Sequence, residues 1–158
     1  MIYTKGKEIP TDLYRYFYRD PIFYWLLLVP VPIWILMFFH TQSFSKMEID
    51  NPLLIILFYP LLEETIFRGI LQPWLARRFT HTRLNISLAN LITSSIFAAT
   101  HLFQQPILLA LATFFPSLIF GYSQERYRRL MPPIILHITY NGGYFLLGVE
   151  AFRNPIPF

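Results

Sequence analysis

From Ile22 to Phe39 the chain carries no charged side chain, and four comparably apolar stretches follow. A membrane-spanning helix needs about 20 mostly apolar residues. Pro52 to Trp74, Leu84 to Phe103 and Pro132 to Val149 approach that length, and Pro106 to Tyr122 is a shorter fourth stretch. Pro30 and Pro32 predict a kink in the first of these helices. Only 14% of residues are charged, against about 25% in ordinary soluble domains. One small globule cannot bury that much apolar surface, so lipid must cover the remainder. The expected fold is all-α: a polytopic transmembrane helical bundle of about five spans, with residues 1–158 forming one membrane-embedded domain.

The basic residues predict its orientation. One set of alternating connections carries Lys5, Lys7, Arg15, Arg19, Arg77, Arg78, Arg83, Arg126, Arg128 and Arg129; the other carries only Lys46 and Arg153. Such asymmetry predicts a cytoplasmic N-terminus. Residues 1–21 lack the apolar core of a cleaved signal peptide. With Tyr14, Tyr16, Phe17 and Tyr18 beside basic residues, they read as an interfacial segment lying along the headgroups. A formal charge of +4, scattered along the chain, argues against a nucleic-acid partner. The chain has no cysteine, which excludes disulfides, a thiol nucleophile and thiolate-bound zinc.

Against this apolar background, three blocks stand out. Glu63, Glu64 and Arg68 fall in the second stretch, Phe97 and His101 in the third, His137 and Asn141 in the fifth. A charge at bilayer depth costs roughly 2.5–3.5 kcal/mol on insertion scales, so such groups face a cavity and serve a function. Glu64 and Arg68, four apart, share a helix face and are placed to pair. Glu63 points about 100° away and stays free for another task. A carboxylate beside an imidazole holds a water, and apolar surroundings make it a better general base. A second imidazole and a carboxamide donate hydrogen bonds to a developing oxyanion. These are the parts for peptide-bond hydrolysis by an activated water.

Glu-Glu-x-x-x-Arg, Phe-x-x-x-His and His-x-x-x-Asn, in that order between Leu61 and Gly143, resemble the CPBP family of intramembrane proteases. That family includes CAAX prenyl endopeptidases and bacteriocin-processing proteins. Gly69, the run Leu75-Ala76-Arg77-Arg78 and the lead-in Pro132-Pro133-Ile134-Ile135-Leu136 share the resemblance. It implies an intramembrane endopeptidase of glutamic type, with Glu63 as the base that activates water and His101 helping to hold it. His137 and Asn141 would stabilise the oxyanion, with Glu64 and Arg68 as a supporting ion pair and Phe97 shaping the pocket. No cofactor is favoured; a zinc-dependent version would use Glu63, His101 and His137. The implied partners are the bilayer and a peptide or protein substrate, membrane-associated or C-terminally tagged. Small bacterial relatives of this kind, the JDVT type among them, accompany C-terminal sorting tails or peptide maturation.

Other readings compete. A non-catalytic immunity or transport protein would use the same buried polar cluster for binding or proton movement. A serine protease would use Ser123 with His137 as its base, leaving Glu63 and His101 idle. Asp12, Asp20 and Asp50 lie outside the apolar stretches, which argues against an aspartyl protease. Asn90, Ser94, Ser95 and Thr100 read as helix–helix contacts. Counting along the spans puts His101 near the end of its helix and His137 near the start of its own, toward opposite faces. The uncharged connection from His101 to Pro106 allows His101 to sit deeper.

Overall fold

The computed structural model describes residues 16–41, 51, 53–79, 81–83 and 86–147. Residues 1–15 of the expected interfacial segment, with Lys46, Asp50 and Arg153, lie outside them. The described chain is overwhelmingly helical. Among the described residues, the helical run Ile107–Tyr127, two segments that abut at Thr113, is the one long and apolar enough to cross a membrane, judged by length and composition.

A single 3-10 turn, Phe17–Arg19, leads into α1, Pro21–Leu28. Asp20 caps α1: its Oδ1 accepts from the Ile22 amide at 3.1 Å, and Pro21 occupies the first helical position, where a missing N–H costs nothing. Asp20 Oδ2 also accepts from Arg126 Nε at 2.7 Å and Tyr127 OH at 3.0 Å. The start of α1 is thereby tied to residues more than a hundred positions further along the chain.

The first stretch is an apolar helical run from Pro21 to Leu36 broken at the expected proline, where α1 gives way to α2 (Val31–Thr41). Val29 N–H still reaches Trp25 O at 3.2 Å. The next bond, from residue 30 to Leu26 O, does not exist because Pro30 has no N–H. Tyr140 fills the gap, its hydroxyl donating to Leu26 O at 2.6 Å. A helix break written by proline thus becomes a docking point for the last helix.

The second stretch is one helix, α3 (residues 54–76), with two widened turns. It runs as a π turn (Leu54–Phe58), an α segment (Tyr59–Glu64), a second π turn (Thr65–Leu71) and a final α segment (Gln72–Ala76). Pro60 and Pro73 follow the two π turns. Each lacks the amide that would close the next ladder bond, so the helix before each proline widens.

The third stretch also departs from expectation. It was read as helical from Leu84, yet Thr82–Arg83 (β1) pairs antiparallel with Ile86–Ser87 (β2), Thr82 opposite Ser87. Helix α4, Leu88–His101, starts only there, because the Ser87 side chain accepts from the Asn90 amide at 2.9 Å and caps it. After a turn come α5 (Ile107–Ala112), α6 (Phe114–Tyr127) and α7 (Met131–Leu147). The fourth stretch extends five residues past its expected end, carrying Glu125 and Arg126 into α6. It closes at Arg128, in the left-handed conformation with φ 51°.

Packing is inside-out relative to a soluble domain. Trp25, Leu36, Ile70, Phe103 and Leu108 face outward, while Glu64, Arg68, Gln72, Asn90, Ser94 and Ser117 are fully buried. Outward apolar surface and inward polar groups are the arrangement that lipid requires. Asn90 seals α4 to α6: its Nδ2 donates to Leu118 O at 3.0 Å and its Oδ1 accepts from Ser94 Oγ at 3.1 Å. Gly121 makes the approach possible, since a Cβ there would lie 1.9 Å from Asn90 Oδ1. Ser94, Ser95 and Thr100, expected between helices, instead donate within their own helix, to Asn90 Oδ1 and to the carbonyls of Leu91 and Phe97.

Candidate active site

Helix α3 delivers Glu63 and Glu64 at the end of its central α segment and Arg68 within the second π turn. Glu64 is fully buried. Its Oε1 lies 2.8 Å from His137 Nδ1 and its Oε2 lies 3.3 Å from Arg68 Nε. The expected Glu64–Arg68 pair is present, but Glu64 has a second partner that spacing alone did not show. Arg68 is also fully buried, and its Nη2 donates to the carbonyl and hydroxyl of Ser117 at 2.7 and 2.6 Å. Its guanidinium stands 5.1 Å from the Phe97 ring and 5.9 Å from both Phe67 and Phe120, within cation–π range. A buried charge persists only when so surrounded.

Glu63 faces the other way, with 30% of its side chain exposed. Its Oε2 lies 3.7 Å from His137 Nε2. His137 therefore sits between two carboxylates, Glu64 on Nδ1 and Glu63 on Nε2. Its ring is fixed by Phe120, stacked at 4.7 Å and 21°, and by Phe97, edge-on at 5.9 Å.

His101 is the last residue of α4. Side chains lean toward a helix's N-terminus, and the His101 ring lies back against Phe97 at 4.5 Å, its Nδ1 2.9 Å from Phe97 O. The two imidazoles thus flank one phenyl ring, and Glu63 lies in the field of both. Asn141, one turn beyond His137, donates Nδ2–H to Ile55 O at 3.2 Å.

Ser117, Phe120, Gln72 and Glu125 were not singled out from the sequence. Gln72 lies four beyond Arg68, which lies four beyond Glu64, so all three share one face; that spacing was the available signal. Gln72 Nε2 donates to Gly121 O at 3.1 Å and to Glu125 Oε1 at 2.8 Å, and Ser87 Oγ donates to the same Glu125 oxygen. Ser123, the serine candidate, is buried in α6 with its hydroxyl donating to Phe120 O at 2.8 Å. Among the described residues, no three His, Asp or Glu side chains gather closely enough to hold a metal ion.

A helical bundle with apolar flanks and a polar centre of two carboxylates, a guanidinium and two imidazoles is the make-up of a membrane protein with a buried polar cluster. The chain belongs to the Type II CAAX prenyl endopeptidase Rce1-like family, whose model matches residues 47–143. The resemblance carried by the three motifs therefore stands. The chain is 33% identical over 118 residues to "Putative membrane peptidase YdiL" of Bacillus subtilis (strain 168), covering 73% of this chain and 45% of that protein. It is 34% identical over 104 residues to an "Uncharacterized 24.3 kDa protein" of Escherichia coli, covering 63% of this chain and 46% of that one. The chain spans about half the length of these curated relatives. No solved structure matches it significantly.

Proposed function

We propose that this protein is an intramembrane endopeptidase of glutamic type, hydrolysing a peptide bond in a membrane-associated or C-terminally tagged protein. The observation that carries the reading is Glu63, partly exposed beside His137 while Glu64, Arg68 and Ser117 hold that imidazole from behind. Glu63 takes a proton from a water that His101 helps to hold, and the water oxygen attacks the scissile carbonyl carbon. As an imidazolium, His137 gives Nδ1–H to Glu64 and keeps Nε2–H for the oxyanion; Asn141 supplies a second donor. Collapse of the adduct breaks the C–N bond, and Glu63 passes its proton to the leaving amine.

The proposed setting is about five spans with a cytoplasmic N-terminus in a bacterial inner membrane. The Asp20–Arg126 pair supports it by bringing the basic ends of α1 and α6 together, and Glu125 joins them to the connection containing Arg83. Substrate cleavage by wild type, Glu63→Gln, His101→Ala and His137→Ala, each with and without chelator, tests the function. Loss in all three variants with indifference to chelator is expected. Unchanged cleavage in Glu63→Gln would remove Glu63 as the base, absence of cleavage by wild type would return the cluster to a binding role, and chelator-sensitive activity restored by zinc would replace the metal-free reading.

A further inference from the structure

We propose that Pro60 is a positioning residue for the oxyanion site, acting by leaving the Ile55 carbonyl free to hold Asn141. This inference rests on the proposed hydrolase reading, which makes Asn141 an oxyanion donor. In the first π turn of α3, hydrogen bonds run from each amide to the carbonyl five residues earlier, and the Tyr59 N–H reaches Leu54 O. The next bond in that ladder would run from residue 60 to Ile55 O. Proline has no N–H to give, so Ile55 O keeps an unclaimed lone pair inside the bundle, where an unsatisfied carbonyl is costly. Asn141 Nδ2 claims it at 3.2 Å.

A carboxamide has two N–H donors on one planar nitrogen. Committing one to a fixed carbonyl sets the direction of the other, so the second N–H of Asn141 is held ready before any substrate arrives. Preorganised donors of this kind stabilise developing charge without reorganising during the reaction. Pro60 is itself fully buried and touches no reacting atom in this scheme; it acts through the hydrogen bond it fails to make. Pro30 shows the same device elsewhere in the fold, with Leu26 O passing to Tyr140.

The test is Pro60→Ala, which restores a backbone amide able to compete for Ile55 O. In purified protein in micelles, kcat should fall at least tenfold with KM within twofold of wild type, while the melting temperature holds or rises. In an Asn141→Ala background the same substitution should change kcat by less than twofold, because the amide it orients is gone. Wild-type kcat in Pro60→Ala, or an equal loss in both backgrounds, would overturn the inference. Wild-type cleavage measured alongside separates the two claims: no cleavage by wild type defeats the hydrolase reading itself, whereas wild-type cleavage with an unaffected Pro60→Ala defeats only this one.

Discussion

Replacing Arg68 with methionine removes a fully buried charge while keeping an unbranched side chain of similar reach. Glu64 would then be left buried with His137 as its remaining charged partner, at 2.8 Å. Breaking a buried ion pair from one side costs about 3–5 kcal/mol. The surviving imidazole contact keeps the loss near the lower figure, and the guanidinium's place among Phe67, Phe97 and Phe120 adds about 1 kcal/mol. For a chain of this size each kcal/mol moves the melting temperature by about 2–4 °C, so Arg68→Met should melt about 8–16 °C lower. The double variant Glu64→Gln with Arg68→Met strands neither charge and should recover most of that loss. It should not recover cleavage, because His137 has lost the carboxylate that orients it. Tryptophan fluorescence during heating in micelles reads the stability, and cleavage of a tagged substrate reads the activity. A melting temperature for Arg68→Met within about 1 °C of wild type, or no recovery in the double variant, would refute the reasoning.

Gly121→Ala should destabilise by about 1–3 kcal/mol, since its Cβ would fall 1.9 Å from Asn90 Oδ1; shortening Asn90 to alanine in the same protein should relieve the clash, read as a rise in melting temperature. Asp20 gives a pH dependence. Burial alone would raise its carboxyl, but Arg126, the Ile22 amide and Tyr127 outweigh it and hold it below the usual carboxylate range. Its stabilising contribution is therefore complete above the ordinary aspartate value of about 3.9 and is lost as pH falls through the lower folded value. Melting temperatures measured from pH 6 down to pH 3 should drop less steeply at the acid end in Asp20→Asn than in wild type.

The groups that carry charge in the site were legible because an ionisable letter in an apolar run is conspicuous. Glu63, Glu64, Arg68, His101 and His137 all declared themselves in that way. What supports them was less visible. Arg68 rests on Ser117, whose serine and carbonyl look unremarkable in α6. His137 is stacked by Phe120, one aromatic among many. Backbone carbonyls have no letter at all, yet Leu26, Ile55, Leu118 and Gly121 each accept a side chain from another helix. For the first two, the proline four or five residues later was the written clue. The helical fold followed from apolar run length, but the break at Pro30 and the late start of α4 depended on one missing N–H and one serine cap.

The central claim is that Glu63 delivers the attacking water, and single-turnover cleavage by purified Glu63→Gln tests it most directly. Glutamine keeps the shape of the side chain but removes its negative charge and with it the capacity to take a proton from water. General-base catalysis contributes about 10²–10⁴-fold, so cleavage should slow by at least a hundredfold while melting temperature and substrate capture stay as in wild type. Cleavage within tenfold of the wild-type rate would contradict the account.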